Sequence, residues 1–212
     1  MSKKDTARGS TIVDTIRSDS LKSIGKDYAE IGLDSALESG ILRDIPVVNT
    51  VVGLFSFAGT IRDSLLTSKI IRFINQLSEL STKERIAMTD KLNDDDKFAG
   101  KAGSVIIEIL DRMESAKKPE IAAKAFGAFA KDEISFEELR RILFALERLP
   151  SFDFDKLAPF SKATIQESVK MDESLLLTFV NAGLGKNNGG FDGGAILPTN
   201  LCKLLAKLNI FT

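Results

Sequence analysis

Residues 65–80 read LLTSKIIRFINQLSEL, and this stretch decides the fold class. Leu66, Ile70, Phe73, Ile74, Leu77 and Leu80 recur at the three- and four-residue spacing of one helix face, while Lys69, Arg72, Gln76 and Glu79 take the other. Such an apolar stripe leaves water only by packing on neighbouring helices. The next four residues, Ser81-Thr-Lys-Glu84, form a capping box, in which a hydroxyl and a glutamate satisfy the free N–H groups of a new helix. That helix is expected to run to about Leu92.

Toward the C-terminus the helical pattern continues. The acidic run Asp94-Asp95-Asp96 is expected to open a helix with Phe98, Val105, Ile109 and Met113 on its inner face. Pro119 begins another, carrying Ala122, Phe126 and Phe129. A second capping box, Ser135 to Glu138, starts a helix with Phe136, Leu139, Leu143 and Leu146, which Pro150 stops. Ser151 to Pro159 reads as a turn-rich connector. Ser161–Lys170 and Glu173–Asn181 read as short helices. Residues 183–194 hold six glycines, the mark of a flexible loop or hairpin tip, and Pro198 to Leu208 closes as a helix.

Toward the N-terminus, residues 1 to about 11 read as a polar, mobile tail. Ile12, Ile16, Leu21, Ile24, Tyr28, Ile31 and Leu37 then form a loose helical stripe, weakened by Gly25 and Gly32 and ended at Ser39-Gly40. The most unusual stretch follows. Residues 45–61, IPVVNTVVGLFSFAGTI, are 17 residues without a charge, bracketed by Arg43-Asp44 and Arg62-Asp63. As a helix this run is apolar around most of its girth, with Asn49, Gly53, Ser56 and Thr60 lining one groove where another backbone could approach closely. Its β-branched residues and glycines leave a broken helix or a hairpin open. Its helical length would be about 25 Å, short of the roughly 30 Å hydrocarbon core. Three roles fit: a buried core helix, a peripheral membrane contact, or a partner groove. Val47, Val51, Leu54, Phe55 and Phe57 are the candidate contact residues, and Arg62 with Asp63 is expected as a partly buried ion pair that fixes register.

These elements make a mostly α protein. A tail and helical arm span 1–40, a central helical bundle spans 41–150, and a small C-terminal α+β cap spans 151–212. Composition narrows the function. The 212 residues carry 29 Lys+Arg against 30 Asp+Glu, so a net charge of −1 gives no global attraction to nucleic acid or anionic lipid. With no His, Ser-His and Cys-His nucleophile pairs and His metal ligands are excluded. One Cys builds neither a Cys-rich zinc site nor an intrachain disulfide. The polar start MSKKDTAR is followed by no apolar core of a signal peptide, so a cytosolic setting is expected, with peripheral attachment at the inner face of a membrane as its variant. Cys202, among Leu201, Leu204 and Leu205, reads as core filling, and most of the 14 Phe are expected on core faces.

The remaining motifs favour no chemistry. Gly185-Lys-Asn-Asn-Gly-Gly190 lacks the spacing of a phosphate-binding loop. Residues 131–138 look like the second half of an EF-hand, yet the alignment puts Gly127, Phe129 and Lys131 where carboxylate ligands are needed. Three consecutive aspartates at 94–96 point in different directions and read as a solvated helix cap. No catalytic residue, cofactor or metal site is expected, and no small-molecule substrate is evident.

Residues 175–184 (LLLTFVNAGL), the glycine-rich stretch and residues 196–205 (ILPTNLCKLL) resemble part of a winged helix. That resemblance implies DNA contact through the helix near Glu173 to Asn181 and through Lys186 in the wing. From residue 153 to 212, however, six lysines face six acids, so a structural cap is the reading preferred. A second resemblance covers Ile45-Pro46 through Gly53, Ile61-Arg-Asp63, Lys69 to Phe73 and Lys131 to Glu138. These blocks are similar to a group of small uncharacterised bacterial helical proteins, and the pair of helices from Pro119 to Leu149 is loosely similar to tellurite-resistance-type bundles. The resemblance implies an all-helical fold and a role in stress or phage defence. The expected function is therefore that of a non-catalytic interaction protein with 45–61 as its contact element, a protein or second copy as partner, and a membrane surface as the variant. DNA regulation through the C-terminal region is the alternative.

Overall fold

The structure is a computed structural model that describes residues 3–21, 53, 61–94, 101–115, 117–189 and 194–208. Its described residues are mostly helical, with one two-stranded antiparallel sheet near the C-terminus. The chain divides into two compact units, one ending at Lys131 and the other beginning at Asp132.

The first unit contains α1 (Lys3–Arg17), α2 (Ile61–Leu77), α3 (Thr82–Asp94), α4 (Ala102–Arg112) and α5 (Lys117–Ala130). The apolar row read in residues 65–80 forms the centre of this unit. Ile70, Phe73, Ile74 and Leu77 are buried where α2 packs on α5 and α4. Phe73 meets Phe126 of α5 edge to face, ring centroids 5.4 Å apart.

The N-terminal tail is corrected. Residues from Lys3 are helical, and α1 packs most extensively on α4 and then on α3. Ile12 and Ile16 are buried as the stripe predicts, but at Gly9 the approach to α4 is between backbones. A Cβ added to Gly103 would lie 1.9 Å from the Gly9 carbonyl oxygen, and one added to Gly9 would lie 2.4 Å from Ser104 Oγ. A docking surface made of backbone leaves no apolar signature, which is why a polar stretch could conceal it. The glycine contact also sets the rotation of α4. Ala102, Gly103, Ile106 and Leu110 are its buried face, whereas Val105 and Ile109 are half-buried. Asp94 ends α3 rather than opening α4; Asp95, Asp96 and Phe98 lie outside the described residues.

The second unit contains α6 (Phe136–Arg148), a 3₁₀ turn (Ser151–Asp153), α7 (Phe154–Ser161), α8 (Ile165–Ser168), α9 (Glu173–Asn181), β1 (Gly185–Asn187), β2 (Ile196–Pro198) and α10 (Asn200–Lys207). In the sheet, Gly185 faces Pro198, Lys186 faces Leu197 and Asn187 faces Ile196. The core joins Leu139, Ile142, Leu146, Phe160, Phe179, Leu184 and Leu205; Phe160 and Phe179 stack with centroids 4.6 Å apart. One expectation changes here. The connector at 151–159 holds most of α7, in which Phe154, Leu157 and Phe160 face inward and Pro159 is accommodated within the helix. α6 packs on α10 within this unit. Among the described residues, two phenylalanines also depart from the core pattern: Phe144 is exposed beneath the Arg148 guanidinium, and Phe152 is exposed.

Helix starts are strongly specified. At Ser81–Glu84 and Ser135–Glu138 the expected capping boxes form, with Glu84 Oε2 accepting the Ser81 N–H at 2.7 Å and Glu138 Oε2 accepting the Ser135 N–H at 2.7 Å. A third, Thr164–Glu167, opens α8; its T-x-x-E spacing was equally legible and was missed in the sequence. The Ser81 hydroxyl and N–H lower the Glu84 pKa, the Ser135 N–H and hydroxyl lower that of Glu138, and the Thr164 N–H and hydroxyl lower that of Glu167. Each carboxyl therefore holds its proton more weakly folded than unfolded. The resulting stabilisation is complete above the unfolded pKa, about 4.3, and is lost as pH falls through the lower folded values. Ser135→Ala should cost about 1 kcal/mol at neutral pH and flatten the acid limb of a urea-midpoint-versus-pH curve. An unchanged curve would contradict this account of α6.

Candidate interaction site

Val47, Val51, Leu54, Phe55 and Phe57 lie outside the described residues. Within 45–61 the described residues are Gly53 and Ile61, and both are exposed. A Cβ on Gly53 would meet nothing within 4 Å. Ile61 opens α2 and is 82% exposed; Leu65, one turn later, is 57% exposed. From Thr67 onward the same helix buries Ile70, Ile71, Phe73, Ile74 and Leu77. Residues i and i+4 share a helix face, so Ile61 and Leu65 form an exposed apolar pair on a helix that buries its later apolar residues.

Polar contacts fix that end. Arg62 Nη2 lies 2.5 Å from Asp111 Oδ2 on α4, and Lys69 Nζ donates to the Asp111 carbonyl at 3.1 Å. Asp111 is in the last turn of α4, where carbonyls lack helical partners and the helix dipole is negative, so a lysine there caps it favourably. Deeper in α2, Arg72 Nη1 pairs with Glu120 Oε1 of α5 at 2.8 Å. Of the expected Arg62–Asp63 pair, Arg62 reaches Asp111 on the other helix, and its side chain is 80% exposed. Its hydrogen bond to Asp111, and then the charge of Asp111, raise the Arg62 pKa; Asp63 contributes a smaller attraction. Burial pulls the Lys69 pKa down, opposed by Asp111 and reinforced by Arg62. A bridge as exposed as Arg62–Asp111 orients the helix more than it stabilises the fold.

Lys186 is exposed on β1 opposite Leu197. Asp172 caps α9 by accepting the Leu175 N–H at 2.9 Å, which places an acid at the start of the helix that the DNA reading would use. Cys202 is buried, and burial pushes its thiol up to about 12, far from a reactive thiolate. Residues Gly127 and Phe129 belong to α5 rather than to a cation loop, and Glu138 is engaged by Ser135. Among the described residues no three Cys, Asp or Glu side chains are grouped to hold a metal ion. An open cleft of about 190 Å³ lies at the α1–α4 glycine contact, lined by Ser10, Asp14, Asn93, Lys101 and Ser104 among others.

No family model, curated protein or solved structure matches the chain.

This end of α2 was partly legible. Arg62 stood out beside the uncharged run, but its partner is 49 residues away. Arg85 was missed altogether. It is fully buried and donates Nε to the Ile16 carbonyl at 2.7 Å, Nη1 to that of Leu80 at 2.6 Å and Nη2 to that of Ser18 at 2.7 Å. The available signal for the α1–α4 contact was the small pair Gly9-Ser10 matched by Ala102-Gly-Ser104, the residue type that lets two backbones meet.

Proposed function

We propose that this is a non-catalytic helical interaction protein whose contact element is the uncharged run 45–61 continued by the first turn of α2. The observation that carries the reading is the exposure of Ile61 and Leu65 on a helix whose remaining apolar residues are mainly core. An apolar turn held rigidly at the surface is suited to burial against another surface. The net charge of −1 sets up little repulsion between like chains, so a second copy, or a similarly apolar protein face, is the preferred partner.

A membrane surface is the variant. No described helix is long and apolar enough to cross a membrane. The likeness of the Ile45–Asp63 block to small bacterial proteins supports a tie to stress or phage defence, and a cytoplasmic, inner-face setting is proposed beside it. The DNA-binding alternative has Lys186 exposed on the hairpin in its favour, but the six lysines and six acids of residues 153–212 support it less.

Chemical cross-linking and vesicle flotation test the reading together. Wild-type chain is expected to give cross-linked dimers and to stay below phosphatidylglycerol vesicles. The double variant Ile61→Asp/Leu65→Asp should lose the dimers while its folding stability stays within about 0.5 kcal/mol, as exposed positions allow. Flotation of the wild type, lost in the variant, would transfer the contact element to lipid. Neither cross-linking nor flotation would refute it.

A further inference from the structure

The hairpin of the second unit places an Asn-Gly pair, Asn188-Gly189, directly after β1, and Asn188 is the one asparagine in the sequence followed by glycine. In such a pair the glycine nitrogen can attack the preceding side-chain carbonyl with no Cβ in its way. Both residues are exposed, so water reaches them. Hydrogen bonds hold each reacting group. Asn188 Oδ1 accepts the Ala195 N–H at 2.7 Å, and the Asn188 N–H donates to the Ala195 carbonyl at 3.0 Å. The Gly189 N–H, whose nitrogen would be the nucleophile, donates to Asn187 Oδ1 at 2.7 Å.

We propose that Asn188 is a deamidation site that the closed hairpin restrains and that opening of this end of the hairpin releases. Solvent base takes the proton from the Gly189 nitrogen, which attacks Asn188 Cγ; the Cγ–Nδ2 bond breaks and ammonia leaves, closing a succinimide ring. Water then adds to one of the two ring carbonyls and breaks that C–N bond. The product is an aspartate or an isoaspartate at position 188, with no oxidation or reduction. Either product makes the chain one charge more negative. Aspartate keeps an oxygen for the Ala195 N–H. Isoaspartate adds a methylene to the main chain, so the pairing of position 188 with Ala195 cannot re-form in the same register. The modification would therefore record that the hairpin had opened.

The test is peptide mapping by mass spectrometry of the full chain held at mildly alkaline pH, native or in guanidinium chloride. Asn188 is expected to deamidate faster than any other asparagine in the denatured chain. In the native chain it should react about tenfold more slowly, because the reactive geometry requires local opening. Asn187→Ala, which removes the acceptor of the Gly189 N–H, should speed the native reaction severalfold and leave the denatured rate unchanged. Equal native and denatured rates, a faster asparagine elsewhere in the denatured chain, or a native rate indifferent to Asn187→Ala would each overturn the proposal.

Discussion

Gly103→Ala is expected to detach α1 from the first unit. The added Cβ would stand 1.9 Å from the Gly9 carbonyl oxygen, a backbone atom with no side-chain rotation to relieve the clash. One of the two helices must move, and the movement withdraws Ile12 and Ile16 from the core they now fill. Overpacking of this sort costs 1–3 kcal/mol and occasionally more, and the upper end, about 3 kcal/mol, applies where the obstacle is backbone. Alanine's better helix propensity returns no more than about 1 kcal/mol of that. Gly127→Ala is the matched control: it too lies within a helix, but its Cβ would meet Leu80 Cδ2 at 3.5 Å, an ordinary contact. That substitution should be neutral or stabilising by up to about 1 kcal/mol. Native-state hydrogen exchange separates the two. Amides of α1 should lose protection in Gly103→Ala and keep it in Gly127→Ala; retained protection in both would show that the helices are not in backbone contact.

Arg85→Ala is expected to be as damaging, for a different reason. The guanidinium takes the carbonyls of Ile16 and Ser18 at the end of α1 and that of Leu80 between α2 and α3, with a further bond to Thr82 Oγ1 at 3.2 Å. Burial lowers the Arg85 pKa, against the smaller pull of Asp19 and Glu84, but the carbonyl oxygens compensate the charge. Removing the side chain leaves three acceptors without their donor and opens a cavity, a loss of about 4 kcal/mol. Arg85→Lys should recover less than half of it, since a single ammonium cannot reproduce a planar fork spread over three carbonyls. Urea unfolding followed at the first unit provides the measurement. A lysine variant as stable as wild type would mean that charge alone, and not the fork, holds the end of α1.

What could be read from sequence follows from which contacts leave a pattern. α2 was legible because Ile70, Phe73, Ile74 and Leu77 bury as a row, and α3 and α6 because their capping boxes are local in sequence. The bounds of α1 were hidden because Gly9 docks through its backbone and Arg85 closes the helix from 69 residues away. α7 was hidden by Pro159, which signals a break in sequence but sits inside a short helix. In the candidate site, charge absence marked 45–61, yet the rotation that exposes Ile61 and Leu65 while burying Ile70 depends on the docking of α2 against α4 and α5. Composition gave no access to that docking.

Sedimentation velocity of the full chain over a range of concentrations, wild type beside Ile61→Asp/Leu65→Asp, tests the proposed contact element most directly. The wild type should shift from monomer toward dimer as concentration rises, and the double variant should stay monomeric with unchanged helix content. A wild type that remains monomeric throughout, or a variant that associates as strongly, would contradict the assignment of this end of α2 as the contact surface.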